Sequence, residues 1–238
     1  MTSQTDVVVQ GIRDLIVEGS LRPGDRLPVE KDLAEALGVS RNPLREGVRA
    51  LSAMGVLETR RGDGTYVTTL DSSLLLAPMG FVVDLHDHSG AHHLHAVRRI
   101  LETEAAALAA RTIGPDELAA ADQILGRIEA ELRNGEPDHE AIIDGDIAFH
   151  LVVAKAAGNP VLAALIEALG GRTSRDRLWR SISQHGADEA THTEHRSILA
   201  ALTAHDSDRA RTYMSAHLFA VEDYLQHRPP SEDPLPER

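Results

Sequence analysis

Two sets of side chains in this sequence have the types and spacing to do chemistry. Asp146 and His150 stand four apart in Asp146-Ile147-Ala148-Phe149-His150. On a helix that spacing puts a carboxylate and an imidazole on one face. His195 opens the run His195-Arg196-Ser197-Ile198-Leu199, and His217 sits in Ala216-His217-Leu218, each on a later helical stretch. One Asp and three His from three helices suit a divalent transition metal inside a bundle, and imidazole with carboxylate accepts Zn, Ni, Mn or Fe. Spacing by itself carries little weight here. Asp-x-x-x-His pairs arise often by chance, and isolated histidines more often cap helices, face solvent or fill a core. The second set is Arg41, Arg45 and Arg49, at i, i+4 and i+8 of a helical segment. They form one cationic stripe, and a guanidinium fork can take guanine O6/N7 or a phosphate bidentately. The plain alternative is a solvated face, with Glu46 among the arginines in reach for helical ion pairs.

The elements that must position these groups follow from the apolar pattern. Val8, Ile12, Leu15 and Ile16 predict a helix over residues 5–18, and Leu21-Arg22-Pro23-Gly24-Asp25 predicts a turn. A second helix is expected from Glu30 to Leu37, stopped by Gly38. Ser40 is the expected N-cap of a third, with Pro43 in its first turn and Leu44, Val48 and Leu51 as its buried stripe. Two strand-like runs, Val56–Arg60 and Thr65–Thr69, flank the tip Arg61-Gly62-Asp63-Gly64. Three helices and a β-hairpin in this order make a winged helix-turn-helix, whose third helix enters the major groove. Ser40 and Asn42 then sit at the N-terminus of the reading helix, and Arg60 and Arg61 at the wing.

From residue 71 the pattern is helical. Helices are expected over about 72–86, 92–112, 115–133, 138–157, 160–181, 187–204 and 206–227, separated by Gly, Asn and Pro signals. The reading is a mainly α protein with three parts. A winged helix-turn-helix occupies 1–70, an all-α antiparallel bundle 71–228, and a Pro- and charge-rich tail, expected to be disordered, 229–238. The charge is divided unequally. Residues 1–70 hold nine Lys/Arg and ten Asp/Glu, whereas the remainder holds 15 and 27, so the bundle carries nearly all of the net −13. A near-neutral N-terminal part can still show DNA a basic face. The chain has no Cys, which excludes disulfides and thiolate metal sites. With no apolar run near ~20 residues and no signal-peptide pattern, no membrane contact and a cytoplasmic location are expected. A dense group, His86, His88, His92, His93 and His95, reads as a solvent-exposed helix end and loop.

The residues now carry a resemblance. Gly24-Asp25-Arg26-Leu27-Pro28-Val29-Glu30, Leu33-Ala34, Gly38 through Glu46, Gly55 and Gly62-x-Gly64-x-x-Val67 resemble the GntR family of bacterial transcription factors. The resemblance spans residues 5–70. It implies DNA contacts at Lys31, Ser40, Arg41, Asn42, Arg45, Arg61 and Gly62, to which the stripe adds Arg49. Val29 stands where the family has a small N-cap residue, Asn42 where Thr is common and Gly47 where Ala is. Downstream, Arg98-Arg99-x-x-Glu102, Ala105–Arg111, Asp146-x-x-Phe149-His150, Ala157-Gly158-Asn159-Pro160, Glu194-His195-Arg196 and Ala216-His217-Leu218 resemble the FCD ligand-binding domain of the FadR subfamily. The helix at 72–86 is similar to the extra one of its seven-helix group.

That resemblance implies a divalent metal held by Asp146, His150, His195 and His217, zinc foremost, with nickel and manganese as alternatives. It implies that Arg98 points at a bound small carboxylate, the effector. Asn159 and Trp179 are further pocket candidates, though a helix cap and a core aromatic are their plainer roles. The function implied is a homodimeric regulator on operator double-stranded DNA, a repressor relieved by ligand, and not an enzyme. Two other readings compete with it. A metal-free regulator with an acyl ligand leaves the Asp/His set unexplained. A metal-dependent hydrolase needs a base near a metal-bound water. No His-Glu-x-x-His or nucleophile-elbow pattern is present. Glu194 is the only neighbouring candidate, and it points about 100° away from His195.

Overall fold

In the computed structural model, which describes residues 3–71 and 91–227, Ser3 starts α1 (Gln4–Val17) with a reciprocal cap. Its hydroxyl accepts from Asp6 N and the Asp6 carboxylate accepts from Ser3 N, both at 3.0 Å. The helix α2 (Glu30–Ala36) has Val29 as N-cap without a side-chain bond, and its first turn carries Glu30 and Asp32 instead. Negative charge there offsets the exposed amide dipoles. Gly38, at φ +64°, turns the chain after α2. Ser40 precedes α3 (Arg41–Ala53) as the N-cap residue, but its hydroxyl makes no capping bond. Leu44 and Leu51 of α3 join Val8, Ile12, Leu33, Leu57 and Val67 in one apolar cluster.

The wing is an antiparallel pair, β1 (Leu57–Arg60) and β2 (Gly64–Val67), with Leu57 opposite Val67 and Arg60 opposite Gly64. Both strands are shorter than the pattern predicts. Beyond the last pair Thr68 N still donates to Val56 O at 3.0 Å, and its hydroxyl donates to the Gly55 carbonyl at 2.7 Å. The segment read as a turn does more than turn. Gly24 N and Leu27 N donate to Val67 O and Thr65 O, at 2.9 and 2.8 Å, so residues 24–27 line the wing's free edge.

The chain divides into two units, residues 1–82 and 83–238. The described part of the second is helical throughout: α4 (Ala91–Thr112), α5 (Pro115–Leu132), α6 (His139–Ala156), α7 (Pro160–Arg172), α8 (Ser174–Ser183), α9 (Ala187–Thr203) and α10 (Ser207–His227). In it α4 packs against α10, α6 and α9, and α6 packs against α5, α7 and α8. The core is alanine-rich on α4, with Ala105, Ala106, Ala109 and Ala110 buried beside Phe149, Leu125, Ile198, Met214 and Leu218. Small side chains let backbones approach and leave room for the polar groups above them. The helix expected at 72–86 and the tail expected after Arg228 lie outside the described residues.

Two expectations need correction. The single helix expected over 160–181 is two helices, broken at Thr173 (φ −91°, ψ 2°). Gly170 and Gly171 just before it disfavour helix. Side chains then take over the bonding: Arg177 donates to the Gly170 and Thr173 carbonyls at 2.5 and 3.3 Å. His95 was grouped with exposed histidines, yet it is buried at 1% exposure, its Nε2 3.5 Å from Asp176 Oδ2. It sits one turn before Arg98 and two before Glu102, on the inward face of α4. His86 and His88 lie outside the described residues.

Gly47 brings α3 against α1. A Cβ there would lie 2.5 Å from Val8 Cγ1 and 2.7 Å from Val8 Cβ. Gly47→Ala gains about 1 kcal/mol of helix propensity and loses about 1–3 kcal/mol to overpacking. A lower melting temperature of the N-terminal unit is expected; a more stable variant would contradict the close approach.

Candidate metal centre and DNA-reading face

α6 presents Asp146 and His150 one turn apart, and α9 and α10 add His195 and His217. All four are buried, and one donor atom from each lies within 4.8 Å of the others. His195 Nε2 is 3.3 Å from His217 Nε2 and 3.4 Å from Asp146 Oδ1, which is 3.7 Å from His150 Nε2. Donors about 2.0–2.1 Å from one tetrahedral centre stand about 3.3 Å apart, close to these three distances. Phe149 lies beneath, its ring centroid 4.7 Å from that of His195.

The outward atoms of these ligands are held as well. His150 Nδ1 contacts Glu102 Oε2, and Glu102 Oε1 accepts from Arg98 Nε at 2.7 Å. Arg98 Nη1 donates to Thr173 Oγ1 at 2.9 Å, at the α7–α8 break. His217 Nδ1 is 2.8 Å from Glu194 Oε2. Asp146 turns its second oxygen, Oδ2, to Arg177. Contacts of this kind fix a ligand's orientation and tautomer. Burial, with the neighbouring imidazoles, keeps His195 well below its ordinary pKa, and burial takes His217 down to about 4. Both rings are therefore neutral at pH 7, the form that ligates metal. Burial works against ionised Glu102, but Arg98 and His150 outweigh it and hold the carboxyl far below its ordinary value.

The other expected pocket residues are placed as follows. Arg98 is fully buried and committed to Glu102 and Thr173. Asn159 is exposed and caps α7, its Oδ1 accepting from Val161 N and Leu162 N at 3.1 Å. Trp179 is half-buried on α8. Glu102 and Arg177 were missed as site residues. Glu102 had a signal, standing four after Arg98. Arg177 had none, because only the break at Thr173 aims it at Asp146. Glu194, weighed above as a catalytic base, orients His217 instead.

On the N-terminal unit Lys31, Ser40, Arg41, Asn42, Arg45, Arg49, Arg61 and Gly62 are all exposed. Glu30 at the start of α2 grips Arg45: Nε donates to Oε1 at 3.0 Å and Nη2 to Oε2 at 2.9 Å. Arg49 Nη1 donates to Glu46 at 3.0 Å. On the wing, Arg60 stacks over Tyr66, 4.2 Å from the ring centroid, and Gly62 takes φ +78° at the tip. No described helix is long and apolar enough to cross a membrane.

Residues 4–67 match the model of bacterial regulatory proteins of the gntR family, and residues 93–220 match the FCD domain. The Uxu operon transcriptional regulator of Escherichia coli (strain K12) is 33% identical over 218 residues, which cover 90% of this chain and 83% of that protein. The HTH-type transcriptional regulator LutR of Bacillus subtilis (strain 168) is 33% identical over 219 residues, covering 89% of this chain and 96% of that one. Among solved structures, Streptococcus agalactiae GntR superposes with a TM-score of 0.72 at 27% identity, over 92% of this chain and 99% of that one.

Two tests follow. Glu102→Gln leaves the four ligands in place but weakens the hold on His150, so zinc affinity should fall about 10- to 100-fold by competition titration; unchanged affinity would mean that Glu102 does not support the centre. Arg45→Ala should weaken specific DNA binding about five- to a hundredfold at fixed salt, and equal operator affinity would rule out α3 as the reading helix.

Proposed function

Because the chain belongs to the GntR family of bacterial regulatory proteins, with an FCD domain as its C-terminal unit, we propose that it is a metal-dependent, acid-responsive repressor. Its relatives are transcriptional regulators rather than enzymes. The observation that carries the reading is the convergence of four buried donor atoms, from Asp146, His150, His195 and His217, in a unit of this family. Zinc is the first expectation for the metal, and nickel or manganese would meet the same donors. Bound there, a divalent ion supplies Lewis acidity and two positive charges that attract an anionic group. The protein's own part is to hold three imidazoles and one carboxylate in place.

The DNA side rests on α3 and the wing. Arg45, held by Glu30, offers the remaining N–H groups of its fork to a guanine. Arg41 and Arg49 flank it, with Ser40 and Asn42 at the helix N-terminus and Lys31, Arg61 and Gly62 placed for phosphates. A homodimer would set two such helices in successive major grooves about 34–36 Å apart, on a pseudo-palindromic operator. The location is cytoplasmic, where operator DNA is found. An acid changes operator affinity only by binding one arrangement of the protein better than another.

The test uses purified full-length protein. One zinc per chain is expected by plasma mass spectrometry, and none in His195→Ala. Small carboxylates are then screened by thermal shift, since a ligand at a hundred times its Kd stabilises by about 2.7 kcal/mol. The stabilising acid should weaken binding to DNA from the promoter the protein occupies, and the effect should disappear in His150→Ala. Stoichiometric zinc with no acid response would leave the metal a structural role only.

A further inference from the structure

Among the described residues three arginines are buried: Arg98, Arg177 and Arg180. Two have a carboxylate. Arg98 has Glu102, and Arg177 has Asp146. Arg180, at 8% exposure, has none. Its Nε donates to Gln184 Oε1 at 3.1 Å and its Nη1 reaches Thr191 Oγ1 at 3.4 Å, both neutral groups. Asp188 and Glu194 act on it only at longer range, and burial draws its pKa below the ordinary value. A buried cation without an opposite charge is costly, and an arriving anion would offset that cost.

Arg180 also lies where a ligand would. It lines a cavity of about 30 Å³ that borders two of the metal-ligating residues, Asp146 and His217. That volume holds one or two water-sized groups, about the size of a carboxylate. Arg98, which the resemblance offers as the acid's partner, does not line this cavity. Arg180 and Thr191 bring donors to the cavity, and Asp188 brings an acceptor. Asp188 Oδ2 accepts from Ser181 Oγ at 2.7 Å and lies 3.0 Å from His139 Nδ1. Its Oδ1 has no partner among the described residues.

We propose that Arg180 receives the effector's carboxylate and that Asp188, braced by Ser181, accepts an adjacent hydroxyl, so that the effector is a hydroxy-carboxylate. The proposal rests on the metal-and-acid reading above and adds the receiving residue and the chemical class. A carboxylate completes the charge that Arg180 lacks. A hydroxyl can donate to Asp188, whereas a second carboxylate there would meet a like charge.

The zinc-loaded full-length protein is titrated calorimetrically with glycolate, L-lactate and gluconate, with their deoxy counterparts acetate, propionate and hexanoate, and with malonate. At least one hydroxy acid should bind tenfold tighter than its deoxy counterpart and than malonate. Arg180→Met should lose at least tenfold in that affinity while zinc affinity stays within twofold. Its acid-free melting temperature should be equal or higher, because the variant removes a charge that the fold itself leaves unpaired. Arg180→Gln carries the same test if the methionine variant does not fold. Asp188→Asn should remove the preference for the hydroxy acid. Wild-type acid affinity in the Arg180 variants, or an unchanged preference in Asp188→Asn, overturns the assignment and leaves the metal-and-acid reading standing. No acid bound by wild type while zinc is bound overturns both.

Discussion

A carboxylate or guanidinium taken out of water inside a helical bundle costs several kcal/mol unless an opposite charge and hydrogen bonds meet it. Among its described residues the C-terminal unit buries six such groups: Arg98, Glu102, Asp146, Arg177, Arg180 and Glu222. Its architecture follows from how they are met. Glu102 must face both Arg98 and His150, so α4 and α6 lie side by side at that level. Asp146 must face His195 on one side and Arg177 on the other, so α9 and α8 flank α6. The alanines of α4 serve the same end, because a bulkier helix face would hold the partners apart.

The break at Thr173 belongs to this charge pattern. A continuous helix would keep the Gly170 and Thr173 carbonyls inside its own ladder. Broken, it frees the Gly170 carbonyl for the Arg177 side chain, while the Thr173 carbonyl still accepts Arg177 N at 3.3 Å and the Thr173 hydroxyl receives Arg98. The guanidiniums behind His150 and Asp146 thus end on one short segment. A change at the ligands has a hydrogen-bonded route to α8, and α8 carries Arg180 as well.

The N-terminal unit keeps its charges on the outside, where they cost little and each ion pair stabilises little. The grip of Glu30 on Arg45 is better seen as positioning than as stabilisation, since it narrows the orientations of a side chain that we propose reads bases. The acidity of the rest of the chain disfavours DNA, in keeping with the α3–wing surface as the proposed binding face. Gly47 lets α3 lie close on α1, so the reading helix is held by a small core of Val8, Ile12, Leu33, Leu44 and Leu51.

The sequence by itself determined the classes of structure and half of the candidate metal centre. Helical periodicity, Gly38 and Ser40 between two short helices and a Gly-rich hairpin tip are local signals, and local backbone preference is enough to set them. Asp146 and His150 are one turn apart whatever surrounds them, so half of the centre was visible as a spacing. That His195 and His217 complete it rested on resemblance until the bundle brought Nε2 of each to within 3.3 Å of the other. Tertiary structure alone decided the rest. It buried His95, placed Arg177 on Asp146, turned Glu194 from a candidate base into the partner of His217, and left Arg180 without a carboxylate beside the ligands. Each depends on which residues of distant helices face one another, and a sequence records spacing along a helix but not the rotation of that helix against its neighbours.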